Sequence, residues 1–242
     1  PLNPSYREDE FAFYLDDLSA KAIILPDTYD GPALAAAQKL GLMIIRLVAK
    51  SRAGEFSLHG PQANPASPGA PTQDDIALIL HTSGTTSRPK IVPLLQSNVA
   101  ASAQNIAQSL ALTPDDRCLN VMPLFHIHGL VAAVSATFAA GGSIYCTEGF
   151  NAMNFFTMMT QARPTWYTAV PTMHQAILSR ATRNADVIAD IPLRFLRSSS
   201  ASLPAQVMEA LNKTFNAPVI EAYGMTEAAH QMCCNPLDRQ KP

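Results

Sequence analysis

Neither sign of charge is in excess in this chain of 242 residues, because 17 Lys and Arg stand against 19 Asp and Glu. The sequence also lacks a run of basic residues, and a nonspecific nucleic-acid binder needs a clustered basic face. We therefore expect no nucleic-acid partner. Hydrophobic residues make up 48% of the chain, which excludes disorder, because disordered chains combine low hydrophobicity with high net charge.

Cysteine is scarce, and its spacing is wrong for a metal site or a disulfide framework. The four cysteines are Cys118, Cys146, Cys233 and Cys234, and none belongs to a CxxC pair. Structural zinc sites are typically built on such pairs. We expect buried, reduced thiols, which are typical of a cytoplasmic protein.

The longest stretch without Asp, Glu, Lys or Arg runs from Cys118 to Thr147, which is long enough to cross a bilayer. Asn120, Pro123, His126 and the pair Gly141-Gly142 interrupt it. This pattern predicts several buried elements rather than a membrane span.

Alternating apolar strands and amphipathic helices predict an α/β fold with two subdomains. Residues 1–58 contain two helix–strand pairs, and residues 59–72 are rich in Pro, Ser, Gly and Ala, as linkers are. We therefore expect residues 1–72 to be the end of a first α/β subdomain with its linker. Residues 73–242 are expected to form a second α/β subdomain.

In the second segment, near-continuous apolar strands predict mostly parallel sheets with helices on both faces. The predicted strands are 77–80, 119–122, 143–146, 165–168, 193–197 and 219–222. The predicted helices are 97–110 with Ser97 as N-cap, 130–140, 151–161, 171–181 and 204–215.

Ligands of open parallel sheets bind beyond the carboxyl ends of the strands. The strand at 77–80 runs into a turn, His81 to Lys90, that holds five hydroxyl residues, one glycine and a lysine. Glycine allows backbone N–H groups to point inward, and hydroxyls and lysine add donors, so this turn could hold phosphate. A solvated Ser/Thr-rich turn is the alternative. The pattern is not a Walker A loop.

Three further strand ends carry unusual residues. His126 and His128 follow the strand at 119–122 and could bind a metal, although no third ligand is evident, or be satisfied core histidines. The small residues of Ser198 to Ser202 would let a flat ring approach the backbone, unless they form a turn without function. In the last turn, Tyr223 could stack on a base, Thr226 could bind a phosphate and Glu227 could hold Mg²⁺.

At these residues the chain resembles the adenylate-forming superfamily of acyl-CoA synthetases, luciferases and peptide-synthetase adenylation domains. Residues 82–90 resemble its phosphate loop, residues 123–126 its substrate-gate motif and residues 223–227 its adenylate and magnesium signature. Within the superfamily the chain is most similar to the oxalate–CoA ligase branch, through residues 164–172, 197–203 and 221–230.

The resemblance implies a fragment of the large N-terminal domain of a carboxylic acid–CoA ligase, with ATP/AMP, Mg²⁺ and coenzyme A as cofactor and co-substrates. The nucleotide-binding residues it implies are Thr82, Ser83, Gly84, Thr85, Thr86, Lys90, Ala201, Glu221, Ala222, Tyr223 and Thr226. The catalytic residues it implies are His126, Thr226, Glu227 and Lys90, with Glu227 as the metal ligand. Residues 73–242 would then be the nucleotide- and acyl-binding subdomain.

The resemblance also places His126, His128, Ser200 and His230 around the acid. Hydroxyls and imidazoles favour a second carboxylate over an alkyl tail, because an unpaired buried polar group costs about 1–3 kcal/mol. We therefore expect a short dicarboxylic acid such as oxalate as the small-molecule substrate. A small or medium-chain monocarboxylate is the alternative.

Family members are about twice as long and carry a C-terminal lid that is absent here, so we expect the isolated chain to be largely inactive. A second alternative is a nucleotide-binding fragment without turnover, supported by the short length and by Ile91, which replaces a glycine that the superfamily usually carries; Ser87 also replaces such a glycine but fits the oxalate-like branch. A kinase or ATPase is disfavoured by the missing Walker A pattern. The sequence leaves the oligomeric state open.

Overall fold

The computed structural model describes residues 1–61, 67, 69–82 and 89–237. The chain divides into two compact units, Pro1–Ala70 and Pro71–Pro242. Both contain strands and helices, which confirms the predicted α/β class.

The first unit is a small three-stranded sheet with two helices. Its elements are α1 (Glu8–Asp17), β1 (Ala22–Pro26), α2 (Pro32–Lys39), β2 (Met43–Ala49) and β3 (Phe56–His59). β1 pairs with β2 in parallel, and β3 adds to β2 in the antiparallel direction. Phe11 and Leu15, one turn apart on α1, are buried with Leu25 of β1 because residues at i and i+4 share a helix face. β3 was not predicted, since only one of its four residues is even partly buried.

The second unit contains eight strands and six α-helices within the described residues. The strands are β4 (Ile76–His81), β5 (Ile91–Leu95), β6 (Arg117–Asn120), β7 (Ser143–Cys146), β8 (Trp166–Ala169), β9 (Phe195–Ser198), β10 (Val219–Met225) and β11 (His230–Cys234). The helices are α3 (Gln96–Ser109), α4 (Ala136–Ala139), α5 (Phe155–Ala162), α6 (Pro171–Ala181), α7 (Ala185–Asp190) and α8 (Ala205–Phe215).

The main sheet of this unit has six strands in the order β11-β10-β9-β8-β6-β7. All its pairs are parallel except β10 with β11, a strand that the sequence patterns did not predict. From β6 the chain moves to one side to form β7 and returns to the other side to form β8. The strand order therefore reverses between β6 and β8, and such a switch point is where open α/β sheets bind their ligands.

Successive residues of the central strands enter two different cores. Cys118, Trp166 and Phe195 point to one face, where they pack with α3, α4 and the β4–β5 pair. Leu119 and Tyr167, their neighbours in β6 and β8, point to the other face, where they pack with α5, α6 and α8. Because strand side chains alternate between faces, both faces are buried and the strands read as continuous apolar runs, as predicted.

The strand at the phosphate-loop-like motif was expected in the parallel sheet, and that prediction was wrong. β4 pairs with β5 as a separate antiparallel hairpin. Ile91 begins β5 opposite His81, so its β-branched side chain lies in a strand, where such residues are favoured. The helix that follows begins at Gln96 rather than after Ser97, because Asn98 Oδ1 accepts the Leu95 N–H at 2.9 Å.

The helix predicted at 130–140 begins earlier, as a π-helical segment, His128–Ser135, that continues into α4. π-Helical turns are rare and often occur at functional sites. Gly129 lies so close to the carbonyl oxygens of Met122 and Pro123 that a β-carbon there would collide with backbone. The glycine thus holds His128 against the end of β6.

Among the described residues, no helix has both the length and the apolar character needed to cross a bilayer.

Two methionines close in sequence test the core assignment. Met159 of α5 is fully buried, whereas Met153 is 72% exposed. We expect Met159→Ala to lower the free energy of unfolding by about 2–5 kcal/mol and Met153→Ala to change it by less than about 0.5 kcal/mol. Denaturant unfolding followed by fluorescence of Trp166, the single tryptophan, measures both. Equal effects of the two substitutions would contradict the packing described.

Candidate active site

The second unit has a cavity of about 670 Å³ at the carboxyl ends of the central strands. The loop after β6 contributes His126 and His128, the residue after β8 contributes Val170, and the turn after β9 contributes Ser200. The cavity therefore lies beside the switch point between β6 and β8. Its position is the one expected for a ligand site in an open α/β sheet.

The remaining lining comes from the end of β10 and from the β4–β5 hairpin. Thr226 and Glu227 follow β10, His230 begins β11, and Thr82 and Lys90 lie on the two sides of the hairpin. Residues from all four predicted turns thus surround one cavity. The structure brings together nine of the residues singled out in the sequence: Thr82, Lys90, His126, His128, Ser200, Gly224, Thr226, Glu227 and His230.

The predicted phosphate loop is described only at its ends. Ser83, Gly84, Thr85 and Thr86, and also Ser87, lie outside the described residues. The Thr82 N–H donates to the Lys90 carbonyl at 2.9 Å, and the Lys90 N–H donates to Thr82 Oγ1 at 3.3 Å. These two bonds hold the ends of the loop together beside the cavity.

Four residues assigned to adenine by the resemblance are not among those lining the cavity: Ala201, Glu221, Ala222 and Tyr223. The Tyr223 side chain is 62% exposed, so its ring face is accessible. The Glu221 carboxylate accepts the Leu203 N–H at 2.8 Å, and the Ala222 carbonyl accepts the Ser199 hydroxyl at 2.8 Å. Contact of these four residues with adenine stays a prediction.

A bulge between β10 and β11 brings His230 into the cavity. The pairing register shifts between Tyr223 and Gly224, and a β-carbon at Gly224 would collide with the carbonyl of His230. His230 itself has φ of 101°, a conformation that costs a non-glycine residue energy and is typical of functional sites. Its Nε2 is buried and has no hydrogen-bond partner within the described part of the chain.

His128 connects the cavity to the sheet. Its Nδ1 lies 3.0 Å from Ser200 Oγ, and its Nε2 lies 2.6 Å from Thr168 Oγ1. The rings of His128 and His230 are 5.0 Å apart. The buried histidine is therefore satisfied by hydroxyls, as one alternative in the sequence predicted. No group of three or more metal-ligating residues occurs in the part of the chain that the structure describes.

Behind His128 lies a fully buried arginine that the motif analysis did not assign. The Arg197 Nη1 lies 3.2 Å from His128 Nε2 and 3.3 Å from Thr168 Oγ1, and its Nη2 donates to Gln231 Oε1 at 2.8 Å. Its Nε has no partner, and no carboxylate of residues 1–61, 67, 69–82 and 89–237 forms a salt bridge with it. One signal for it was present in the sequence, since Arg197 is a charged residue at the carboxyl end of a predicted apolar strand.

Burial decides the charge of these groups. It lowers the pKa of His128 well below the usual value and, with the Arg197 guanidinium, lowers the pKa of His230 to about 3. Partial desolvation also lowers the pKa of His126, although its side chain is exposed. The pKa of Arg197 falls to about 10 through burial, so the guanidinium is still charged at neutral pH. The imidazole rings of His128 and His230 are thus neutral, and they lie near the charged, buried guanidinium of Arg197.

The whole chain, residues 1–242, matches the family described as AMP-binding enzyme. A probable CoA ligase of Humulus lupulus, CCL9, is 43% identical over 98% of this chain and 46% of its own length. An oxalate–CoA ligase of Saccharomyces cerevisiae is 40% identical over 100% of this chain and 49% of its own length.

A solved structure is similar over the whole length of this chain. It is a malonyl-CoA ligase in a ternary product complex with methylmalonyl-CoA and AMP, with a TM-score of 0.79 and 27% identity, covering 100% of this chain and 49% of its own. The chain therefore spans about half the length of the proteins it matches.

The buried histidines predict how stability depends on pH. His174, which lies 3.1 Å from the Tyr167 hydroxyl and 3.2 Å from the Arg197 carbonyl, has its pKa lowered by burial to about 4. Between pH 6.5 and 5 the unfolded chain protonates His174 and His230, but the folded chain, in which their pKa values are about 4 and about 3, does so much less. Stability is therefore greatest above pH 6.5 and falls as the pH drops, by about 1.4 kcal/mol per pH unit for each histidine.

We expect His174→Gln to reduce this slope by about 1.4 kcal/mol per pH unit, measured by denaturant unfolding with Trp166 fluorescence from pH 7 to 5. Gln175→Ala, at an exposed neighbour of His174 on α6, provides the control, because it removes no titratable group and should leave the slope unchanged. A slope that His174→Gln does not alter would show that this histidine is protonated in the folded chain.

Proposed function

Because this chain belongs to the AMP-binding enzyme family, we propose that it forms the nucleotide- and acyl-binding part of an ATP-dependent carboxylic acid–CoA ligase. The observation that carries the proposal is the single cavity shared by the predicted phosphate-binding and acid-binding residues. Thr82, Lys90 and Thr226 line it together with His126, His128 and Ser200. A nucleotide and a small acid bound there would lie next to each other.

The first step joins two anions. A carboxylate oxygen attacks the α-phosphorus of ATP, an acyl-adenylate forms and pyrophosphate leaves. The barrier comes largely from charge repulsion, so donors fixed in advance around the phosphates lower it. We assign Lys90, the Thr82 hydroxyl and the described ends of the loop to the β- and γ-phosphates. Thr226 would donate to the α-phosphate, where negative charge develops.

Glu227 would hold Mg²⁺. Its carboxylate is in the cavity lining, and Mg²⁺ is commonly bound by one or two carboxylates together with substrate phosphates. A single carboxylate beside the phosphate-binding residues therefore fits this ion. When bound, Mg²⁺ would neutralise phosphate charge.

His126 is suited to orient the attacking acid. It lines the cavity, its side chain is exposed, and partial desolvation lowers its pKa. The neutral ring can donate one N–H to a carboxylate oxygen and still leave the second oxygen free as the nucleophile. In the second step the thiol of coenzyme A attacks the acyl carbon and displaces AMP.

We favour a short dicarboxylic acid such as oxalate as the substrate. His128, Ser200 and His230 line the same cavity, and hydroxyl and imidazole groups favour a second carboxylate over an alkyl tail, because a buried polar atom left unpaired costs about 1–3 kcal/mol. The yeast relative is an oxalate–CoA ligase, and the structural neighbour binds methylmalonyl-CoA. Oxalate has two carboxylates, and the acyl group of methylmalonyl-CoA keeps a free carboxylate.

A small or medium-chain monocarboxylate is the second candidate substrate. Met122, Ile127 and Val170 also line the cavity and would accept an alkyl group. The alternative of a fragment that binds nucleotide without turnover was supported partly by Ile91. That support is lost, because Ile91 lies in β5 and not within the loop.

The test is a screen of acids with ATP and coenzyme A on the protein at the length of its relatives, with mass detection of thioesters. We expect thioester from oxalate or another short dicarboxylate, with AMP and pyrophosphate as the other products. Release of ADP, or no thioester with any acid, would contradict the ligase assignment. Thioester from alkyl monocarboxylates alone would contradict the dicarboxylate assignment.

The same assay tests the lining residues. We expect Lys90→Met and Thr226→Ala to lower kcat by about 10²–10³-fold, as the loss of one donor to developing charge does. Lys213→Met provides the control, since this exposed lysine of α8 lies outside the cavity lining. The isolated 242-residue chain is expected to form little or no adenylate. Full activity of the Lys90 variant, or of the isolated chain, would contradict these roles.

A further inference from the structure

Arg197 is a buried cation whose charge no described residue balances. Its side chain is fully buried, it has no carboxylate partner among the described residues, and its three polar contacts are with His128, Thr168 and Gln231. Buried charges are normally paired, because removing a lone charge from water costs several kcal/mol. Arg197 lies directly behind the cavity, which suggests that its role concerns the ligand.

The contacts of Arg197 fix the direction of a hydrogen-bond chain. Gln231 Nε2 donates to Ser109 Oγ at 3.0 Å, which leaves Gln231 Oε1 as the acceptor for Arg197 Nη2. Arginine has donors only. The His128 Nε2 atom that Arg197 Nη1 approaches at 3.2 Å must therefore be an acceptor without a proton.

Thr168 supports the same assignment. Its Oγ1 is 3.3 Å from Arg197 Nη1 and so accepts from the guanidinium, which leaves the Thr168 hydroxyl proton to donate to His128 Nε2 at 2.6 Å. Because burial and the guanidinium keep His128 neutral, its single proton must be on Nδ1. Nδ1–H then donates to Ser200 Oγ at 3.0 Å.

The chain ends at Ser200, in the cavity. Its oxygen accepts from His128, so its own O–H is left to donate to a ligand. Ser200 has φ of 73°, a left-handed conformation that is costly for serine. The hydrogen bond to His128 helps to hold it. A hydroxyl whose O–H is free to donate can bind an acceptor oxygen such as that of a carboxylate.

We propose that Arg197 is a positioning residue that fixes His128 as the Nδ1–H tautomer, makes Ser200 a hydrogen-bond donor and so selects acids with a second anionic group. This inference rests on the proposed ligase function. It identifies Arg197 as a residue that determines which class of acid the ligase accepts. Without Arg197, His128 would be free to carry its proton on Nε2 and to accept the Ser200 hydroxyl. The cavity would then lose its directed donor and the nearby positive charge.

The first test needs no substitution of Arg197. In the full-length protein labelled with ¹⁵N-histidine, long-range ¹H–¹⁵N spectra at pH 7 distinguish the two neutral tautomers, and His128→Gln identifies the signal. We expect His128 to be the Nδ1–H tautomer. An Nε2–H tautomer, a mixture of both, or a charged ring would overturn the proposal.

The second test compares acids that differ in one anionic group. We expect Arg197→Met to lower kcat/KM for oxalate at least about tenfold relative to glycolate, as the loss of a buried charged donor predicts. Ser200→Ala should shift the same ratio in the same direction, and Arg197→Lys, which keeps charge and donors, should restore much of it. Arg183→Met, at an exposed arginine on the 3₁₀ turn after α6, should leave the ratio unchanged.

The outcomes separate this inference from the ligase proposal. If the unaltered protein forms no thioester with any acid, the ligase proposal fails. If it is active but the ratio is unchanged in folded Arg197→Met, or falls equally for both acids, only the role of Arg197 fails. If Arg197→Met does not fold, the tautomer of the unaltered protein and the ratio in Arg197→Lys and Ser200→Ala decide.

Discussion

The burial of both faces of the six-stranded sheet is the constraint on which the site depends. Cys118 and Leu119, adjacent in β6, enter separate cores on opposite faces, so neither face has room for a ligand. Polar side chains can then meet a substrate only beyond the strand ends. The reversal of strand order between β6 and β8 opens a crevice there, and residues from four separate turns meet in it.

Much of this could be predicted from sequence because the signals are local. The parallel strands are short apolar runs such as β7, whose bounds the sequence predicted without error. The turns at His126, Ser200 and Thr226 each follow such a run, and parallel strands place their carboxyl ends together. Convergence of these turns on one cavity therefore followed from the pattern before any side chain was placed.

Other features depend on long-range contacts that no local pattern reports. β4 was assigned to the main sheet because its residues are apolar, yet it pairs with β5 across a turn read only as a phosphate loop. β11 follows a register shift that Gly224 permits. The sequence shows Arg197 as a charged residue at the end of a largely apolar strand, but its contact with His128 joins residues 69 positions apart. The proposed direction of the Ser200 hydrogen bond depends on that contact.

The central claim is that a second anionic group of the acid binds between Ser200 and His230. The most direct measurement is a crystal structure of the full-length protein with AMP and oxalate. These two ligands do not react with each other, because AMP has no pyrophosphate leaving group. One oxalate carboxylate should lie within about 3.2 Å of Ser200 Oγ and next to the His230 ring, with the other facing His126. Oxalate bound elsewhere, or with no oxygen near Ser200 Oγ, would contradict the account.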